Sequence, residues 1–371
     1  MYNIQTLNKI SPLGLERFGS GKYAYGNGVN APDAIMVRSA PMHETALDPN
    51  TAAIARCGAG TNNIPVDACA EQGVVVFNTP GANANGVAEL VICALLLSSR
   101  KIAEGIAWCN TLKGQGDVGK AVEKGKGAFT GPEIKGKTLG IVGLGAIGRL
   151  VAEKALAMGM DVVGFDPFPV KGLPQAVKVV GSAMEVFESA DYMTLHAPAT
   201  ADTKGMVNRD SIAVMKDGAR IINLARGDLA VSSDILGALK SGKLSAYVTD
   251  FPTDEQLGAD GVIAMPHLGA STPESEDNCA VMAADQLMLY LETGAIKNAV
   301  NFPDAELPAD FTSRTCVLHR ESAAETVKAA LGEVTFSGAR GGFGYTVADK
   351  EADVGALMAI DGVVRVRTLR N

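Results

Sequence analysis

An α/β protein of two doubly wound parallel-sheet domains, followed by a small α+β module, is the fold class that the sequence predicts. Three observations predict it. Short β-rich runs alternate with helical stretches over most of the 371 residues. A glycine-rich turn follows one such run and opens a helix. Near the end, past an acidic stretch with two prolines, the pattern becomes strand, helix, strand, strand, helix, strand. Strands separated by helices pair in parallel through right-handed crossovers, which is the basis of the doubly wound assignment.

The elements follow in order. Ala34–Arg38, Ala52–Arg56 and Val74–Phe77 are compact apolar runs ending in turns, and make a first, flavodoxin-sized unit. A long helical pattern covers Val87–Trp108, and a polar, Gly- and Lys-rich stretch runs from Lys113 to Gly127. The second unit begins at the Thr138–Val142 strand and the Ile147–Met158 helix. It continues through strands at Asp161–Phe165, Tyr192–Leu195, Arg220–Asn223 and Ala246–Val248. Ser211–Met215 and Ser233–Ser241 are helical, the latter with Ser232 as N-cap. Glu274–Leu291 is one more long helix, and Asn301–Pro308 a linker. The predicted boundaries are 1–85 with 275–303 for the first domain, 86–274 for the second, and 310–371 for the tail module.

Composition bounds the function classes. Hydrophobic residues make up 47% and charged residues 20%, enough for a sizeable core, and 42 glycines suit tight turns and close backbone approach. A formal net charge of −8 argues against nucleic acid as the main partner. No uninterrupted apolar stretch is long enough for a membrane span. Met1–Ser11 has no secretory pattern. The cysteines, Cys57, Cys69, Cys93, Cys109, Cys279 and Cys316, are scattered without a C-x-x-C pair. They read as reduced thiols of a cytoplasmic protein, with no metal site expected.

Gly143-Leu144-Gly145-Ala146-Ile147-Gly148 matches the dinucleotide fingerprint G-x-G-x-x-G in its required context, after a strand and opening a helix. Gly143 allows the tight turn, Gly145 lets a pyrophosphate approach the backbone, and Gly148 allows close helix–strand packing. Asp166 ends the next strand, where a carboxylate accepts hydrogen bonds from ribose hydroxyls and repels a 2′-phosphate. NAD is therefore favoured over NADP.

Hydride transfer at a secondary alcohol needs an acid/base, a cation for the carboxylate, and a group that orients the base. Of four histidines, His43 and His319 lack suitable context, and His196 sits at a strand end. His267, in Met265-Pro266-His267-Leu268-Gly269, follows a strand-like run and falls at the carboxyl edge of the sheet, where α/β ligand sites form. Arg226, just past the Arg220–Asn223 strand, could hold a carboxylate bidentately. Glu255 or Asp254 would orient His267.

These residues resemble the D-2-hydroxyacid dehydrogenase family from about Ile35 to Asn301. The motifs are Arg56-Cys57-Gly58-Ala59-Gly60, Asn78-Thr79-Pro80 leading to Val87-Ala88-Glu89, the fingerprint with Asp166, Leu195-His196-Ala197-Pro198, Asn223-Leu224-Ala225-Arg226-Gly227, and Pro266-His267-Leu268-Gly269-Ala270-Ser271-Thr272. The resemblance implies a flavodoxin-like substrate domain, a Rossmann NAD domain, and catalytic Arg226, Glu255 and His267. Glu255 is preferred to Asp254 because residue type and spacing from Asp250 agree. It implies cofactor contacts at Gly143, Gly145, Ala146, Ile147, Gly148, Asp166, Ala197, Leu224, Ala225, Asp250, Gly269 and Ala270. Asp250 would lie near the nicotinamide amide. Substrate contacts are implied at Arg38, Ser39 and the Gly58-Ala59-Gly60 turn, with Lys120, Lys124 and Lys126 as further cations or simply a solvated loop. The implied reaction is oxidation of a D-2-hydroxy acid by a homodimer or homotetramer. 3-Phospho-D-glycerate is the favoured substrate; D-lactate, D-glycerate or hydroxypyruvate, or NAD sensing without turnover, are the alternatives. The tail resembles an ACT regulatory domain, with Glu321 where serine-sensing relatives carry Asn.

Overall fold

The computed structural model describes residues 1–19 and 21–371. Its contacts divide the chain into two compact units, Met1–Asn83 with Pro273–Asn371, and Ala84–Thr272.

In the first unit, β1 (Tyr2–Leu7), β2 (Tyr23–Gly26), β3 (Ala34–Val37), β4 (Ala53–Arg56) and β5 (Val75–Phe77) form a parallel sheet in the order β2-β1-β3-β4-β5. This is the flavodoxin-like order. Alternation divides its strands between two cores. Met36, Ala53, Ala55 and Phe77 face the helix Pro273–Thr293, whereas Ile35, Val37, Ile54 and Val76 pack with Ile64 and Cys69.

The second unit carries β6 (Thr138–Val142), β7 (Asp161–Phe165), β8 (Lys178–Val179), β9 (Tyr192–Leu195), β10 (Ala219–Asn223), β11 (Leu244–Thr249) and β12 (Val262–Ala264). All pair in parallel, in the order β12-β11-β10-β9-β6-β7-β8. Adjacent residues again point to opposite faces. Val162, Tyr192, Ile222 and Val248 meet the helices Ala84–Arg100 and Ala146–Ala157, while Val163, Met193, Ile221 and Tyr247 meet the helices on the other side. The strand order reverses between β6 and β9, which is the crevice where α/β proteins bind ligands.

The tail is a βαββαβ module. β13 (Ser313–Arg320), β14 (Phe336–Arg340), β15 (Phe343–Ala348) and β16 (Val363–Arg370) form an antiparallel sheet in the order β14-β15-β13-β16. Cys316, Leu318, Tyr345, Val347 and Leu369 share one core with Tyr290, Leu291, Ile296 and Phe302 of the preceding segment. Arginines tie the sheet to carbonyls. Fully buried Arg314 donates to Thr293 O and Pro308 O and pairs with Asp349, and Arg367 donates to Leu291 O.

One expectation is corrected and another refined. Val87–Trp108 is not one helix: Ala84–Arg100 and Ile102–Thr111 are separated by Lys101 in the left-handed region, φ 44°. The break follows from long-range partners, because Arg220 Nε donates to Ser98 O and the backbone of Gly131 crosses so close that a Cβ there would lie 1.8 Å from Ser99 O. Asn301–Pro308 is a linker without helix or strand, as expected, but a packed one. Phe302 and Ala305 are buried, Ala305 bridges Ile296, and the Asn301 amide donates to Val74 O while its carbonyl accepts from Val76 N. Asn301 thus completes the edge of β5. Asn301→Ala would leave a buried N–H and C=O unpaired, and is expected to cost about 1–3 kcal/mol of stability, read as a lower urea midpoint at unchanged m-value.

Candidate functional site

The glycine turn is built as its sequence requires. Gly143 has φ +94°, and a Cβ on it would sit 2.6 Å from His196 O. A Cβ on Gly148 would lie 2.0 Å from Gly143 O, so only glycine lets the Ala146–Ala157 helix pack against its own turn. Gly145, the helix cap, has open space where its Cβ would be. That opening, with the exposed N–H groups and positive end of a three-turn helix, fits a pyrophosphate. Asp166 Oδ2 accepts from Leu144 N at 2.8 Å and Oδ1 from Phe168 N at 3.0 Å. The carboxylate is thereby fixed beside the turn, and each oxygen keeps a lone pair for a ribose hydroxyl.

At the end of β10, Asn223 organises the next loop. Its amide donates to Arg226 O and to the buried Tyr247 hydroxyl, and its Oδ1 accepts from Ala225 N. This leaves Leu224 buried and Arg226 exposed, with no ion pair to Arg226 among the described residues. Arg226 Nη1 donates to Ala225 O at 2.7 Å. Beside the loop, a Cβ on Gly227 would stand 3.3 Å from Phe251 Cβ, and the Phe251 ring lies 4.6 Å from that of His267.

His267 Nδ1 and Asp250 Oδ2 are 2.7 Å apart, with the carboxylate side chain fully buried and the imidazole about half exposed. This corrects the expected partner. Glu255 is solvent-exposed on the short turn Asp254–Gln256, whose capping box between Thr253 and Gln256 holds it away from the ring. Asp254 is exposed on the same turn. Asp250 follows β11 directly and so is carried under His267 by the sheet itself. Its other oxygen, Oδ1, is buried without a partner among the described residues, so a ligand donor such as a carboxamide N–H would satisfy it. Asp250 is thus available to both the histidine and the cofactor.

The other histidines are accounted for. Burial pushes His196 down to about 4, which keeps its ring neutral, and Thr194 bonds Nε2. His43 meets Asn62 O at the surface, and His319 is buried in the tail between Arg320 O and Thr346. Gly269 is buried against Val87, and Ala270 and Ala197 lie in partly buried loops.

In the first unit, Arg38 pairs with Glu276 at 2.5 Å, and Ser39 N donates to Asn8 Oδ1. Of the Gly58-Ala59-Gly60 turn, only part is available: Gly58 N is spent on Arg56 O at 2.8 Å. Lys120 and Lys126 form local pairs with Asp117 and Glu123 on an exposed helical hairpin. Asn223, Phe251 and Arg56 carry geometry that residue type alone did not single out, although Asn223 and Arg56 stand at strand ends where such roles concentrate.

A Rossmann sheet with this turn, a histidine–carboxylate pair and an uncompensated arginine at one edge defines a nicotinamide-linked oxidoreductase domain. Residues 92–271 match the family described as D-isomer specific 2-hydroxyacid dehydrogenase, NAD binding domain. A D-3-phosphoglycerate dehydrogenase of Methanocaldococcus jannaschii is 37% identical over 259 residues, 68% of this chain, and the chain spans about half of that relative (48%). A hydroxypyruvate reductase of Thermotoga maritima is 37% identical over 272 residues, 70% of this chain and 85% of the relative. The NAD⁺-bound 3-phosphoglycerate dehydrogenase of Entamoeba histolytica superposes with a TM-score of 0.62 at 26% identity, covering 81% of this chain and 98% of the other. The chain belongs to the D-2-hydroxyacid dehydrogenase family, and its cofactor is NAD.

Because position 148 has no room for a methyl group, Gly148→Ala should weaken NADH binding at least tenfold, measured by fluorescence titration. Gly145→Ala, which meets no protein atom, should leave the melting temperature unchanged and weaken only the nucleotide.

Proposed function

We propose that this protein oxidises 3-phospho-D-glycerate to 3-phosphooxypyruvate with NAD, in a homo-oligomer. The observation that carries the chemistry is the His267–Asp250 pair. With Nδ1–H donated to the buried carboxylate, the imidazole presents its Nε2 lone pair, the tautomer that accepts a hydroxyl proton. Bound at the Gly143–Gly148 turn, NAD would supply the hydride acceptor. Arg226 polarises the C2 oxygen and holds the carboxylate. Asp250 stabilises the imidazolium that forms, so the proton and the hydride leave the substrate to different acceptors and charge balances.

The phosphorylated substrate is supported by Arg38 and Arg56 at the carboxyl edge of the first sheet and by the phosphoglycerate dehydrogenases among the relatives. A second reading, reduction of hydroxypyruvate, is favoured by the Thermotoga relative, of which this chain matches 85%. The tail's βαββαβ order supports an ACT-like assembly or regulatory role.

NAD reduction should be followed with 3-phospho-D-glycerate, D-glycerate and D-lactate, and NADH oxidation with hydroxypyruvate. The proposal expects turnover of the phosphorylated acid that His267→Ala abolishes; preference for hydroxypyruvate would replace it with the second reading. Asp250→Asn should lower kcat by about 10²-fold or more through loss of the tautomer lock, whereas Glu255→Gln should change it by less than about threefold. The reverse ranking would restore Glu255 as the orienting carboxylate.

A further inference from the structure

The backbone ladder between β10 and β11 ends at the pair Asn223–Thr249. Beyond it the two strands lead into separate loops, one carrying Arg226 and the other Asp250. Ladder hydrogen bonds therefore do not set the arginine's position relative to the His267–Asp250 pair. A link between the loops has to come from side chains, and those at the ladder's end supply one.

Tyr247 lies two residues before that end, on the same face as Thr249. Its ring is 1% exposed, in a core with Met193, Leu195, Ile221 and Leu229, where phenylalanine would fill the same space. Packing does not need the hydroxyl, and burying one without partners is costly. It has two partners. Asn223 Nδ2 donates to it at 3.1 Å across the strand pair, and the Thr249 side chain bonds it from its own strand. Asn223 and Thr249 are both fully buried. Burial pushes the phenol above its ordinary value, so the group stays a neutral hydroxyl.

Each partner continues into one of the loops. The Asn223 amide also donates to Arg226 O at 2.9 Å. Thr249 Oγ1 accepts from Phe251 N at 3.1 Å, which closes the turn around Asp250. The Phe251 ring in turn lies 4.6 Å from that of His267. A chain of bonds thus runs from Arg226 O through Asn223, Tyr247 and Thr249 to Phe251 N, entirely within the second unit.

We propose that Tyr247 is a positioning residue for hydride transfer: its hydroxyl joins the arginine loop to the carboxylate turn and so fixes Arg226 against the His267–Asp250 pair. Asn223 and Thr249 are the two ends of the link. A displacement of about 1 Å between such groups lowers rates by about a hundredfold. The proposal rests on the reading of the protein as an acid dehydrogenase, but not on which acid it turns over.

The test uses the full chain. Tyr247→Phe keeps the ring and removes the link. It should lower kcat at least about tenfold, while KM for the acid and the Kd of NADH change less than about threefold. Thr249→Val breaks the link from its other end and should give a similar loss. The double variant should lose no more than either single one, and Thr249→Ser, which keeps the hydroxyl, less than Thr249→Val.

A second readout needs no turnover. With four histidines in the chain, NMR of ¹⁵N-histidine-labelled protein resolves the Nδ1–H of His267, identified by its absence in His267→Ala. That resonance should shift or broaden in Tyr247→Phe and in Thr249→Val. A lower melting temperature with kcat and the His267 resonance both unchanged would mean packing alone and overturn the proposal. Losses that simply add in the double variant would overturn it too. If no acid is turned over, the proposed reaction falls, and the His267 resonance by itself decides the role of Tyr247.

Discussion

Parallel pairing of β6 through β12 is the constraint on which the candidate site depends. Every strand of that sheet runs the same way, so every strand-to-helix loop emerges at one edge. The Gly143 turn, His196, the Asn223–Arg226 loop and Asp250 all follow directly from strand ends. Because the order reverses between β6 and β9, the loops after these strands diverge and leave the turn accessible. Gly143 and Gly148 make this geometry possible by letting helix, turn and the His196 carbonyl approach within distances no side chain would permit. Hydrophobic burial on both faces, divided residue by residue along each strand, holds the edge rigid while its loops carry polar chemistry.

Buried polar groups mark where function resides. Asn223 spends its whole amide on the loop that presents Arg226, so an otherwise exposed arginine is carried on a fixed backbone. Asp250 uses one oxygen on His267 and leaves the other without a partner among the described residues. Arg56 leaves a buried N–H beside a glycine turn without a partner among the described residues. Fully satisfied polar groups, such as Asn301 or Arg314, read as architecture; half-satisfied ones at a strand's carboxyl end read as places for a ligand.

The tail illustrates a different use of arginine. Arg314, Arg367 and the Tyr345 hydroxyl donate to carbonyls at or just past the end of the helix Pro273–Thr293, and Arg365 donates to Gln72 O after the helix Val66–Glu71. Helix C-termini concentrate unpaired carbonyls and partial negative charge, which cations satisfy. The antiparallel sheet is therefore joined to the first unit by a common core and by these caps. The same long helix carries Glu276, the partner of Arg38, near its start.

Short-range pattern made much of this legible in the sequence. Compact β-branched and apolar runs alternating with helical stretches revealed the strands from Thr138 to Val248, the spacing of Gly143, Gly145 and Gly148 revealed the nucleotide turn, and the position of His267 after a strand-like run singled it out. Each depends on neighbours a few residues apart, where chain geometry alone dictates the contact. Tertiary structure decided the rest. It chose Asp250 over Glu255 for His267, spent the Gly58 N–H on Arg56, engaged Arg38 with Glu276, broke the helix at Lys101 and buried Asn301. Each outcome turns on a hydrogen bond that exists only when two distant groups come within about 3 Å in the right orientation. Spacing in sequence nominates several partners for such a bond, and only the path of the folded chain selects one.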